Sequence, residues 1–249
     1  MNPLNLDDVY EFVNIRISQF HQRRLSIIKE IDLKNLVKRK NPYLFRAKNI
    51  TLAQNYVAHI LESSLASQEE TMFGEFLEAL AIFIASKTYN GYKSHLEGVD
   101  LELKKAGVYY LVQIKSGINW GNSSQHKQIK TDFEKAKPLI QSNNLDFEIQ
   151  PVIGSCYGKA RTTTTKQGII KLCGQSFWHF ISDDPDLYTK IVEPIGYEAK
   201  KHNEDFSDAR DNLINQLNLS FIQQFCLPNG AIDWEKLIQF NSKNLVSPT

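Results

Sequence analysis

A chain of 249 residues, 42% hydrophobic and 23% charged, is long enough to bury a full core, as one large domain or as a domain with a smaller helical appendage. Its net charge of +1 names no partner, and three widely spaced cysteines, Cys156, Cys173 and Cys226, exclude a paired disulfide framework and predict reduced, buried thiols. No run of about 18 apolar residues is present to span a bilayer, and no basic start followed by an apolar run opens the chain, so a cytoplasmic protein away from membranes is expected.

The charge is unevenly spread. From Arg16 to Lys48 ten Lys or Arg face only Glu30 and Asp32, a local +8 that leaves −7 for the remainder. Such a segment suits a phosphate footprint or a solvated helix face.

In chain order, Asn5 or Asp7 caps an amphipathic helix in which Val9, Phe12, Val13, Phe20, Ile27 and Ile28 recur at helical spacing to about Glu30. A basic turn, Lys38 to Pro42, follows. Thr51 to about Leu65 reads as a second helix, and Ser67 with Glu70 three residues later opens a third with a capping-box signature. That third helix, to about Lys87, is apolar on most sides (Phe73, Phe76, Leu77, Leu80, Ile82, Phe83, Ile84) and so reads as buried, which leaves Glu75 and Glu78 to be paired, protonated or bound to metal.

Residues 97–117 read as a hairpin turning at Lys104 to Gly107. Period two places Asp100 and Glu102 on one face of its first strand and Gln113 and Lys115 on one face of its second, while Val99, Leu101, Leu103, Val112 and Ile114 take the other faces. The polar turn Ile118 to Ser124 caps a helix from about Ser124 to Ser142. Phe147 to Cys156 reads as a further strand, with Phe147, Ile149, Val152 and Ile153 inward, and Gly158 to Gly168 as a polar loop. Ile169 to Leu172 suits a short strand, and the chain from Gln175 is helical, with Phe177 and Trp178 as core residues. The expected architecture is α/β, a small mixed sheet flanked by helices. It forms a single domain: a helical, basic part at 1–66, a core at 67–175 and a helical C-terminal part at 176–249.

Two carboxylates, an amide and an ammonium gathered on one sheet face look like a metal site with a cation beside it. Phosphodiester hydrolysis needs an in-line water, charge stabilisation on the phosphoryl oxygens and help for the leaving oxygen, all within reach of a divalent ion held by carboxylates. Mg2+ takes hard oxygen ligands, of which only one or two need be protein carboxylates. Asp100 is the best-placed anchor, with the Gln113 side-chain oxygen and the Ile114 carbonyl as neutral ligands. Lys115 suits orienting or deprotonating the water, or neutralising the phosphoryl group. A further carboxylate comes from Glu78, with Glu75 on nearly the same helix face, or from Glu102. The bland alternatives are an internal salt bridge for Glu78 and a cross-strand ion pair for Asp100 and Lys115.

Gly98-Val99-Asp100 followed by Gln113-Ile114-Lys115 resembles the PD-(D/E)xK nuclease superfamily, with Val99 in place of the Pro and Gln113 in place of the acid. Longer strings are similar to the PmeII-like family of type II restriction endonucleases. They include Asn41 to Ile50, Glu70 to Glu78, Gly98 to Glu102, Ile114 to Gln125, Cys156 to Gly158 and Leu172 to Trp178. The resemblance implies a restriction-endonuclease-like core with N- and C-terminal helical additions, and Mg2+-dependent cleavage of double-stranded DNA at a short specific sequence. It also implies a homodimer, because a palindromic site mirrors two-fold symmetry. A companion DNA methyltransferase acting on the same site is a natural partner.

For DNA contact, Ser116, Asn119, Trp120, Asn122, Ser123, Ser124 and Gln125 put amides and hydroxyls beside the catalytic face at a helix N-terminus, where phosphate is attracted and Asn or Gln can pair with adenine. Asn-Ser-Ser is equally an ordinary helix cap. Lys40, Arg46 and Lys48 in the basic stretch, and Lys159, Arg161 and Lys166 in the polar loop, are further candidates. Two other functions fit the same residues: a structure-specific repair or recombination nuclease, and a DNA-binding module whose core has lost catalysis, for which Gln113 is the motive.

Overall fold

The computed structural model describes residues 2–143, 148–197 and 199–244. In chain order the elements are α1 (Leu6–Glu30), α2 (Leu33–Lys38), α3 (Pro42–Ala47), α4 (Ala53–Tyr89), β1 (Tyr92–Lys93), β2 (Leu101–Lys105), β3 (Val108–Lys115) and α5 (Ser123–Asn143). They continue as β4 (Glu148–Ser155), β5 (Thr163–Thr164), β6 (Ile170–Cys173), α6 (Gln175–Ser182), α7 (Leu187–Lys190), α8 (Val192–Ile195), α9 (Ala199–Phe225) and α10 (Trp234–Ser242). The residues group into two compact units, Met1–Ser18 with Met72–Tyr197 and Gln19–Thr71 with Glu198–Thr249.

The first unit is built on a six-stranded mixed sheet of order β1-β2-β3-β4-β6-β5. β3, β4 and β6 run parallel and the remaining pairings are antiparallel. The hairpin forms with a tighter turn than the expected Lys104 to Gly107, because Lys104 and Lys105 pair within β2, and Val99 packs with Tyr109 and Leu111 rather than with Leu101 and Leu103. Its register ends at Lys105 opposite Val108, so Ala106 and Gly107 make a two-residue connection with φ of 50° and 80°. Positive φ at both positions is what a tight hairpin that keeps the strand twist demands.

Residues opposite one another in the ladder share a face. Leu101, Leu103, Val112, Ile114 and Val152 enter a core with Val13 of α1, Leu80 and Ile84 of α4 and Trp178 of α6. Tyr109, Leu111 and Ile153 pack with Ile129, Phe133 and Ala136 of α5. Both faces of the hairpin are therefore covered, where the alternation alone suggests one buried and one polar face. Parallel strands carry helices on both sides, and Glu102 and Gln113 end up buried beneath one of them. At Gly154 a Cβ would stand 2.2 Å from the Phe177 ring, so the β4 backbone and that ring touch directly.

One expectation is corrected in α4. Thr51 to Leu65 and Ser67 to Lys87 read as two helices, yet one helix runs from Ala53 to Tyr89 and Ser67 lies inside it. A capping signal is worth only about 1 kcal/mol, and the polar side chains at the supposed break bond back within the helix. Gln68 Nε2 donates to the Ser64 carbonyl at 3.3 Å and Thr71 Oγ1 to the Ser67 carbonyl at 3.0 Å. The helix is also not buried all round: Glu75 is exposed, Phe73, Ile82 and Phe83 are half-buried, and Phe83 stacks on Phe12 at 4.2 Å.

The polar turn does start α5, and the strand after α5 is β4; its expected inward Phe147 lies outside the described residues. The polar loop carries the two residues of β5, which pair with β6. Cys156 and Cys173 are buried free thiols and Cys226 is a half-buried one.

The second unit is helical. Its core sets Tyr56 of α4 5.0 Å from Phe45 of α3 and 5.0 Å from Phe221 of α9. Asn41 starts α3 by accepting from Tyr43 N and Leu44 N, with Pro42 at the first helical position. Among the described residues no helix is long and apolar enough to cross a membrane.

Candidate active site

Asp100 stands immediately before β2. Beyond the last ladder pair, Leu101 with Val112, the Ile114 N–H of β3 is taken by Asp100 Oδ2 at 2.7 Å rather than by a β2 carbonyl, while the Asp100 N–H donates to Val112 O at 2.9 Å. The carboxylate is thus fixed to the strand that carries Gln113 and Lys115.

Its other oxygen, Oδ1, lies 3.5 Å from Lys93 Nζ, and the same ammonium lies 2.5 Å from Glu78 Oε1 on α4. Lys93, on the short edge strand β1, therefore bridges two half-buried carboxylates from different elements. Burial works against its charge, but the hydrogen bond to Glu78 and the negative charges of Glu78 and Asp100 outweigh it and hold the Lys93 pKa above its ordinary value. Glu78 and Lys93 border a cleft of about 400 Å³ whose wall includes Phe12, Arg16, Ile82 and Phe83.

Gln113 follows the same strand. Its Nε2 donates to the Gly98 carbonyl at 3.1 Å, two residues before Asp100, while its buried Oε1 has no hydrogen-bond partner. A buried acceptor left alone costs about 1–3 kcal/mol, so Oε1 is a position where a cation or a donor is favoured. Among the described residues no three His, Cys, Asp or Glu side chains gather as a metal set. Two carboxylates and an orphaned amide oxygen nevertheless suit Mg2+, which fills its remaining positions with water.

Glu102 belongs to a different network. Its carboxylate accepts from Tyr109 Oη, from Tyr92 Oη at 3.2 Å and from Ser94 Oγ at 2.7 Å. Burial, followed by the hydrogen bond to Glu102, pushes the Tyr109 phenol well above its ordinary pKa, so it remains a donor. The structure thus joins Glu78 to Asp100 and engages Glu102 with hydroxyls.

Lys115 closes β3. Its carbonyl accepts from Cys156 N at 2.8 Å and the next carbonyl, of Ser116, from Tyr157 N at 2.9 Å. At Gly117 a Cβ would meet the Tyr157 ring at 2.5 Å, and Gly74 of α4 comes within 3.8 Å of Ser116 in the same sense. The backbone here is held on two sides. The Lys115 ammonium lies 5.3 Å from the centre of the Trp120 ring and forms no ion pair among the described residues. Burial first and the charge of Glu78 second push the Cys156 thiol above its ordinary pKa and favour its protonated form.

The polar turn is a helix cap in detail. Asn122 Oδ1 accepts from Ser124 N at 3.0 Å and Gln125 N at 3.1 Å, and Gln125 Oε1 accepts from Asn122 N at 2.8 Å, a reciprocal box. Asn119, Ser123 and Gln125 are exposed, and Ser116 and Trp120 are half-buried. In the polar loop Lys159, Arg161 and Lys166 are all exposed. In the second unit Lys40 Nζ donates to Ser63 Oγ at 2.7 Å, Arg46 lies 5.7 Å from the Trp234 ring centre, and Lys48 is exposed. Arg24, from the same basic stretch, pairs with Glu69 at 2.7 Å and packs 3.8 Å over Phe206, so part of that charge is structural.

Sequence reasoning missed Lys93. Two residues of strand leave no periodic signal, and only the need of Glu78 for a partner hinted at a cation.

The model of the type II restriction endonuclease EcoO109I family matches residues 7–203. The chain belongs to this family. Membership in the EcoO109I family makes it a DNA-hydrolysing enzyme of a restriction system, and its mixed sheet flanked by helices is consistent with the restriction-endonuclease-like fold. Restriction endonucleases generally use divalent metal ions, which gives the Glu78, Asp100 and Gln113 oxygens a chemical context. Among curated proteins nothing matches the chain.

Proposed function

We propose that this EcoO109I-family chain is a Mg2+-dependent type II restriction endonuclease, akin to the PmeII-like enzymes. On this reading it works as a homodimer in the cytoplasm and cuts both strands of DNA at a short specific sequence that a companion methyltransferase protects. The observation that carries the site assignment is the Asp100 carboxylate, held by the Ile114 N–H and joined through Lys93 to Glu78, with the unpartnered Gln113 oxygen on the same strand.

Asp100 and Glu78 would hold the ion, with the Gln113 amide oxygen and the Ile114 carbonyl as neutral donors. Bound there, it supplies a water of lowered pKa and offsets charge on the phosphoryl oxygens. The rest falls to side chains. Asp100, tied to β3 by the Ile114 N–H, would hold the ion beside the strand that carries Lys115. Lys115, steadied above Trp120 and two residues beyond Gln113, orients the attacking water or neutralises the phosphoryl group as its charge builds. Ser116, Asn119, Asn122 and Ser123 line the strand-to-helix turn beside it, where exposed polar groups and a helix N-terminus suit a DNA backbone. Lys159, Arg161 and Lys166 on the polar loop, and Lys40, Arg46 and Lys48 in the second unit, are the further phosphate contacts of this reading.

The test is digestion of several unrelated plasmids in MgCl2 by wild type, Asp100→Ala and Lys115→Ala, with the ends mapped. Discrete fragments with common ends, and a loss of at least about a hundredfold in either variant, are expected. Smearing or structure-dependent nicking would point to a repair nuclease, and full activity in a variant would remove that residue from the site. A second reading is favoured by the neutral Gln113: a core that binds DNA without cutting it. It predicts DNA retained with steep salt dependence and intact in both Mg2+ and Mn2+.

A further inference from the structure

We propose that Lys93 is a built-in counter-ion of the metal site: its ammonium, which bridges Glu78 and Asp100, takes the place where the divalent cation is to bind, and loading the cation expels it. The inference rests on the metal site proposed above.

Glu78 Oε1 and Asp100 Oδ1 are no more than 6 Å apart, because both contact the same nitrogen, at 2.5 and 3.5 Å. Two like charges that close, partly shielded from water, repel each other far more strongly than they would in bulk water. One group therefore has to stand between them when no metal is bound. Glu78 comes from a long helix and Asp100 is fixed by the Ile114 N–H, so neither moves apart cheaply.

Lys93 differs from both. It sits on a two-residue edge strand, its side chain is 54% exposed, and it borders the cleft of about 400 Å³. Its flexible four-carbon stem carries a compact point charge that can turn into that cleft with the backbone in place. A divalent ion brings twice the charge to the same two oxygens. The exchange stabilises the empty site and weakens metal binding, since the incoming ion has to break two ion pairs.

The experiment is calorimetric titration of Ca2+, without DNA, into the full chain as wild type, Lys93→Met, Lys93→Arg and Asp100→Asn, with thermal melts in EDTA and in saturating Ca2+. Lys93→Met is expected to bind Ca2+ about tenfold more tightly than wild type, and to melt below wild type in EDTA with the gap closing in Ca2+. Lys93→Arg, which keeps the charge, stays within about threefold of wild-type affinity. Unchanged or weaker binding by Lys93→Met, with binding abolished in Asp100→Asn, overturns the counter-ion and leaves the metal site standing. Undiminished binding by Asp100→Asn, or none by any form, overturns the metal site and the counter-ion with it.

Discussion

Replacing Gln113 by Glu converts the neutral donor of the site into an acid. In the metal-free chain the change removes the hydrogen bond from Gln113 Nε2 to the Gly98 carbonyl and turns a carboxylate oxygen toward that carbonyl, at a position only 7% exposed. The lost bond is worth about 1 kcal/mol and the unpaired buried acceptors about 1–2 kcal/mol more, so Gln113→Glu is expected to be destabilised by roughly 2–3 kcal/mol in EDTA. For a chain of this length that lowers the melting midpoint by roughly 4–12 °C. A third carboxylate at the site of the orphaned oxygen has the opposite effect on metal affinity, expected to rise at least about tenfold. At a Ca2+ concentration a hundred times the dissociation constant, binding returns about 2.7 kcal/mol and the variant melts close to calcium-free wild type. Melts in EDTA and in Ca2+, with a calcium titration, measure all of this. A variant as stable as wild type in EDTA would refute the Gly98 contact as drawn, and one with unchanged calcium affinity would remove Gln113 from the ligand set.

Three further outcomes follow from the same geometry. Gly98 has φ of +73° and its Cβ would lie 2.3 Å from Asp132 Oδ2, so Gly98→Ala is both strained and overlapped and is expected to lose roughly 3 kcal/mol or more in urea unfolding. Asn122→Ala removes the acceptor for Ser124 N and Gln125 N and is expected to cost about 1 kcal/mol, read as a small fall in melting midpoint. His21 is buried beside His202 and Arg24; burial first, then those two neighbours, push its pKa from 6.5 down to about 4. The unfolded chain therefore binds the extra proton first, so His21 lowers stability as pH falls from about 6.5 toward 4 and has no effect above that window. His21→Asn is expected to lack that part of the fall in a series of melts against pH.

The hairpin was legible because period two, a two-residue turn and flanking glycines are all local. Asn122 to Gln125 was legible as a cap for the same reason, each bond spanning no more than three residues. Ser67 misled for the complementary reason: a cap signal is a preference of about 1 kcal/mol, and the packing of a continuous α4 outweighs it.

By itself, then, the amino-acid sequence determined the α/β class, the hairpin with Asp100, Gln113 and Lys115 at their spacing, and the helix cap that follows. Each of these depends on residues within one or two turns or strands of one another. Only the tertiary structure decided that Glu78 and Asp100 share Lys93 while Glu102 turns to a set of hydroxyls. Glu102 is claimed by Tyr92, Ser94 and Tyr109, whose hydroxyls the folded sheet gathers around it. Lys93 reaches Glu78 across fifteen residues of sequence. Such pairings depend on which strand lies at the sheet edge and which helix crosses it, and no local pattern carries that information.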